Sequence, residues 1–99
     1  MARHVRLRPR AIADLGDIWA YTAGQWGEAQ AADYLESLDA TLNLLAEFPE
    51  MARLRQEITP PVRIHAHRAH LIIYIPGPEA LDILRIVHAR ANWAEFLAE

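Results

Sequence analysis

Near its end the chain reads Ile83-Leu84-Arg85-Ile86-Val87-His88-Ala89-Arg90, which sets one imidazole between two guanidinium groups. Cleaving RNA through its 2′-OH needs a base, an acid and cations that hold the phosphate as charge develops. Histidine near neutral pH can serve as acid or base, so His88, Arg85 and Arg90 are candidate nuclease residues. The opposing reading of His88 is an end-of-strand side chain hydrogen-bonded locally. His65 and His67 lie on one face of a strand, where two imidazoles could share a metal, with His70 across a tight turn as a third ligand. No carboxylate lies close to them in sequence. Without cysteine there is no thiolate ligand or nucleophile. The expectation is therefore no metal and no cofactor.

The charge pattern points towards binding. All ten basic side chains are arginine, and none falls between residues 11 and 52. That stretch carries Asp14, Asp17, Glu28, Asp33, Glu36, Asp39, Glu47 and Glu50. A fold that separates these segments has two faces suited to different partners. Arg63, Arg68, Arg85, His88 and Arg90 form the candidate target-binding set, because the planar guanidinium fork grips phosphate or carboxylate with two bonds. The alternative is a set of solvated strand faces paired with carboxylates. With no lysine anywhere, mechanisms that need a lysine base or Schiff base are closed.

Ninety-nine residues fit one domain over residues 1–99. The arginine-rich start does not read as a signal peptide. The longest apolar run, Leu71 to Ile75, is far too short to span a bilayer. The expectation is a cytoplasmic protein with no membrane contact.

These side chains need elements to position them. Residues 3–8 alternate and predict a strand. Pro9 suits the first position of a helix, and Ile12, Leu15, Trp19, Thr22 and Trp26 recur at helical spacing as its apolar stripe. Gly27 closes that helix and Glu28 opens the next. Ala31, Leu35, Leu38, Leu42 and Leu45 form a second stripe that ends at Phe48-Pro49. Residues 50–61 read as a loop. Strands follow over 62–67, 69–75 and 81–88, the last two joined by the turn Pro76-Gly77-Pro78-Glu79. Alternation puts Ile72 and Tyr74 opposite Leu71, Ile73 and Ile75, and Leu84 and Ile86 opposite Leu81, Ile83 and Val87. Asn92-Trp93-Ala94-Glu95 resembles a capping box opening a short helix with Trp93, Phe96 and Leu97 on one face. The predicted class is α+β: an N-terminal strand and an antiparallel helical hairpin packed on an antiparallel sheet (β-α-α-β-β-β), with a short C-terminal helix. The sheet face away from the hairpin still carries apolar groups that the tail or a partner chain would cover.

The run Leu7-Arg8-Pro9-Arg10-Ala11 followed by Asp14-Leu15, Asp17-Ile18-Trp19 and Tyr21 resembles the opening of the ParE family of bacterial toxins. Trp26-Gly27, Gln30-Ala31 and Tyr34 continue the resemblance, as do Pro49-Glu50, Arg53, Arg55, Val62-Arg63, Arg68, His70 and the run Ile83 to Arg90. The ordered set carries it, over about residues 5 to 92. The resemblance implies a toxin of the RelE/ParE superfamily, encoded beside a ParD-type antitoxin that neutralises it. It implies DNA gyrase as the target, with replication blocked, and no enzymatic activity or direct sequence-specific nucleic-acid binding. Leu71, Ile73, Tyr74, Leu84, Ile86, Trp93 and Phe96 are the candidate antitoxin-binding residues. The alternatives are a ribosome-dependent mRNA endonuclease of RelE type and a non-toxic, antitoxin-binding relative. This sequence departs from the family in having Arg8 before the first proline, and Ala89 and Ala91 beside the last arginine.

Overall fold

The computed structural model describes residues 4–91 of the 99. Strand β1 (His4–Leu7) leads into helices α1 (Pro9–Trp26) and α2 (Glu28–Glu47). A 3-10 turn (Pro49–Met51) precedes β2 (Leu54–Arg55), β3 (Val62–His67), β4 (His70–Pro76) and β5 (Ala80–His88). The five strands lie in the order β1-β5-β4-β3-β2. β1 runs parallel to β5, and the other pairings are antiparallel. The α+β class and the strand–hairpin–sheet order are as the sequence predicts. The tail expected as a helix, with Trp93 and Phe96, lies outside the described residues.

Local chemistry sets the hairpin. Pro9 occupies the first turn of α1 behind an extended Arg8, which supplies no side-chain cap. Gly27 ends one helix and starts the other at φ 94° and ψ 163°, a region essentially reserved for glycine. Its N–H donates to the Ala23 carbonyl and its own carbonyl accepts from Ala31 N–H. The stripe predicted for α2 is the one that packs: Ala31, Leu38, Leu42 and Leu45 are buried, and Leu35 packs against them.

The stripe predicted for α1 is displaced. Ala11, Asp14 and Ile18 are the buried residues, with Leu15 packed beside the core. Ile12, Trp19 and Trp26 are 56%, 39% and 72% exposed. The small Ala11 side chain lets the helix sit close to the sheet, and large side chains on that line would hold it away.

Two further differences lie in the sheet. Residues 54–55, expected as loop, pair with β3 through Leu54↔Arg63 and Arg55↔Val62. Distant groups hold the turn before them: Tyr74 Oη donates to the Pro49 carbonyl at 2.7 Å, and Arg63 Nη1 to the Ala52 carbonyl at 2.6 Å. The β4–β5 register slips by one between Ile73 and Tyr74, which leaves Leu84 as the extra residue of a bulge. A one-residue slip reverses the facing of everything beyond it. Ile86 therefore joins Leu81, Ile83, Ile72 and Tyr74 in the core beneath the helices. Val87 joins Val62 and Ile73 in a second apolar cluster, flanked by Ile64, Leu71, Ile75 and Leu84.

Candidate functional site

β1 pairs with β5 only as far as Leu7↔Ile83, and Arg8 N–H closes that ladder on the Ile83 carbonyl. Past this point the edge of β5 would present bare backbone groups, and a carboxylate from α1 meets them. Asp14 Oδ2 accepts from Ile86 N–H at 2.8 Å. The same carboxylate takes two bonds from Arg85, Nε to Oδ2 at 2.8 Å and Nη2 to Oδ1 at 2.9 Å. Both side chains are largely buried, at 13% and 11% exposure. The pair fixes α1 against β5 with the two-pronged geometry that guanidinium and carboxylate favour.

Beside it opens a cleft of about 400 Å³ between α1 and the end of the sheet. Ile18, Ile86 and Val87 give it apolar walls, and Asp17, Tyr21, His70 and His88 its polar rim. His70 and His88 are cross-strand partners whose rings stand edge to face, 5.6 Å between centroids.

A hydroxyl network ties His70, and His67 beside it, to α2. Tyr34, Ser37 and Thr41 project towards the β3–β4 turn from successive turns of α2. Ser37 Oγ donates to the Tyr34 carbonyl at 2.7 Å, which commits its one hydrogen. His67 Nε2, 3.0 Å from Ser37 Oγ, must then be the protonated nitrogen. His67 Nδ1 accepts from Thr41 Oγ1 at 3.0 Å. Tyr34 Oη sits 2.6 Å from His70 Nδ1 and 3.4 Å from the His67 carbonyl, so its hydrogen goes to the imidazole. Burial, reinforced by nearby Arg68 and His65, lowers the pKa of His67. Burial and the neighbouring His88 and His67 do the same for His70, against a smaller opposing pull from Asp14. Burial raises that of Tyr34. The metal alternative for His65, His67 and His70 finds no support in this arrangement. Among the described residues no three ligating side chains converge, and hydroxyls hold both nitrogens of His67.

The five candidate target-binding residues separate into two kinds. Arg85 is bound to Asp14, and Arg63 clamps the turn at Ala52. Neither guanidinium stands on an open cationic face as the sequence suggested, because one is bound to the Asp14 carboxylate of α1 and the other to the turn before β2. Arg68 sits at the β3–β4 turn with φ 52° and its guanidinium 5.7 Å from the Tyr34 ring centroid. His88 and Arg90 are exposed, and Arg90 N–H donates to His88 Nδ1 at 3.1 Å. This is the local hydrogen bond the plainer reading of His88 expects. On β1, Arg6 and Arg8 pair with Asp82.

The candidate antitoxin-binding set divides as well. Tyr74 lies in the core under the helices and cannot line an open groove, while Ile86, also in that core, reaches the surface as a wall of the histidine cleft. Leu71, Ile73 and Leu84 belong to the second apolar cluster. Residue type and spacing alone do not single out Asp14, Tyr34, Ser37 and Thr41 as site residues. The signal for Asp14 was a lone carboxylate at helical spacing between Ala11 and Ile18. The signal for the other three was a polar line at spacing three and four along α2.

A strand, a helical hairpin and a meander whose last strand lies beside the first define a small α+β toxin fold. It is shared with a chain of the chromosomal ParDE toxin–antitoxin system from P. aeruginosa, at TM-score 0.75 and 18% identity over 88% of this chain and 96% of that one. The family model for the ParE toxin of type II toxin–antitoxin systems matches residues 5–93. Toxin ParE1 of Caulobacter vibrioides is 39% identical over 87 residues, 88% of this chain and 90% of that protein. Toxin ParE1 of Mycobacterium tuberculosis is 33% identical over 93 residues, 93% and 95% respectively. The chain belongs to the ParE toxin family of type II toxin–antitoxin systems. No helix among the described residues is long and apolar enough to cross a membrane.

Proposed function

We propose that this ParE-family toxin acts in the cytoplasm by binding and not by catalysis, that its target is DNA gyrase, and that a ParD-like antitoxin neutralises it. The observation that carries this reading is the Asp14–Arg85 pair. In the nuclease alternative Arg85 would hold a phosphate beside His88. Here its Nε and Nη2 are bound to a buried carboxylate, and His88 Nδ1 accepts a backbone N–H. The chain offers no lysine to replace that cation. Arg68, His88 and Arg90 carry the contact with the anionic target, while Arg63 and Arg85 hold the frame behind them. The apolar cluster around Leu71, Ile73 and Leu84 suits the amphipathic segment of an antitoxin, whose anchors fit a groove at regular spacing.

A gyrase supercoiling assay with purified toxin tests the reading. Inhibition at micromolar toxin is expected, and the Arg68→Ala/Arg90→Ala variant should weaken it roughly tenfold or more, as loss of charged hydrogen bonds worth about 1.5–3 kcal/mol implies. Supercoiling that proceeds unhindered, together with codon-phased cuts in cellular messages after induction, would replace it with the nuclease.

A further inference from the structure

Three large apolar side chains stand in solvent along one line of α1. Ile12, Trp19 and Trp26 are spaced by seven residues and are 56%, 39% and 72% exposed. Seven residues are two helical turns, so the three stack along one edge for about 21 Å. Ala11, Asp14 and Ile18 mark the side of α1 turned to the sheet. By helical periodicity the line lies on the flank that also carries Leu15, away from Asp17 and Tyr21 of the histidine cleft. On the other helix of the hairpin, Glu28, Glu36 and Asp39 are exposed. No basic side chain of any kind occurs between residues 11 and 52 to neutralise them. The hairpin thus combines an exposed apolar heptad line on α1 with exposed carboxylates on α2.

We propose that this surface docks a basic amphipathic helix of a partner protein, with Ile12, Trp19 and Trp26 as anchors and Glu28, Glu36 and Asp39 as the charged border. Charge selects the occupant. A second copy of the chain would bring carboxylates against carboxylates, whereas lysine or arginine flanking an apolar seam meets them with opposite charge. Large aromatic anchors at regular spacing are what a helix-in-groove contact uses. The surface is separate from the arginine-bearing end and does not depend on which target that end meets.

The test uses the full chain carrying Trp93→Phe, so that emission reports Trp19 and Trp26 alone. The probes are two designed helical peptides of about twenty residues, with the same leucine heptads and either lysine or glutamate at the flanking positions. The lysine peptide should shift tryptophan emission to the blue and bind at least about tenfold more tightly than the glutamate peptide, with added salt weakening it. Glu36→Arg/Asp39→Arg should invert the preference. Trp19→Gln/Trp26→Gln should abolish binding, read by labelled-peptide anisotropy, while circular dichroism and melting temperature stay unchanged. Equal affinity for both peptides, no emission shift, or binding that survives the tryptophan replacement would overturn the proposal. So would a concentration-dependent dimer in sedimentation equilibrium that Trp26→Gln dissociates, which would make a second copy the occupant.

Discussion

Asp14 and Arg85 lie 71 residues apart in sequence and share two hydrogen bonds, while the same carboxylate accepts the backbone N–H of Ile86. One side chain therefore neutralises a largely buried cation and closes the strand edge that β1 leaves open. Removing it takes that partner from both groups. Asp14→Ala is expected to cost about 3–5 kcal/mol, the usual penalty for breaking a buried ion pair from one side. Asp14→Asn keeps an acceptor oxygen and should cost less. Urea unfolding of the two variants checks the order. It also means that Arg85→Ala reports on folding before it reports on any target.

Acid should loosen the contact between α2 and the β3–β4 turn. His67 and His70 have pKa values lowered in the folded protein, chiefly by burial. The unfolded chain therefore binds protons more readily, and stability rises with pH through this range. The contribution is fully present above the unfolded histidine value of about 6.5 and is lost as pH falls from there through the folded values. Melting temperatures between pH 8 and 5 should fall, and His67→Gln should flatten the fall. A second loss at lower pH belongs to Asp82, whose pKa is lowered first by its hydrogen bond from Arg6.

Tyr34→Phe deletes the hydroxyl that donates to His70 Nδ1. The expected cost is about 1–3 kcal/mol, because a half-buried acceptor loses its donor. Side-chain nitrogen NMR should show His70 changing its tautomer balance while His67 keeps its own.

Arg68→Gly should leave stability unchanged or raise it. Arg68 holds φ 52°, a conformation that costs a non-glycine residue about 1–2 kcal/mol. Its charge can thus be removed at little cost to the turn, and any effect in the supercoiling assay then bears on the proposed target contact.

Gly27→Ala should do the reverse. At φ 94° and ψ 163° a Cβ meets no neighbouring atom within 4 Å, so the penalty is purely that of the backbone. About 1–3 kcal/mol is expected, visible as a lower melting temperature.

What could be read from the sequence tracks how local each signal is. Leu38, Leu42 and Leu45 define α2 by spacing, Gly27 marks the corner by its conformational range, and the strands after Pro61 are apolar runs between turn residues. The face of α1 is not legible in the sequence, because hydrophobicity is a poor guide where Ala11 and Asp14 do the packing and the tryptophans do not. The bulge at Leu84 has no signature in β5 itself, yet it decides that Ile86 is core. β2 exists because Tyr74 and Arg63 hold the turn before it. Arg85 and His88 could be singled out by type, but Asp14, which decides the state of Arg85, is far away in the chain.

The parallel pairing of β1 with β5, His4 opposite Ala80, bears on how the molecule comes off the ribosome. The first strand to be made must wait for the last, which lies between it and β4. A nascent chain short of Ala80 holds a helical hairpin whose core face has only part of its sheet to lie on. Contacts of such long sequence separation form late and slowly. The sheet therefore closes only when β5 has been made, near the end of the chain, and the hairpin spends nearly all of synthesis without its full floor.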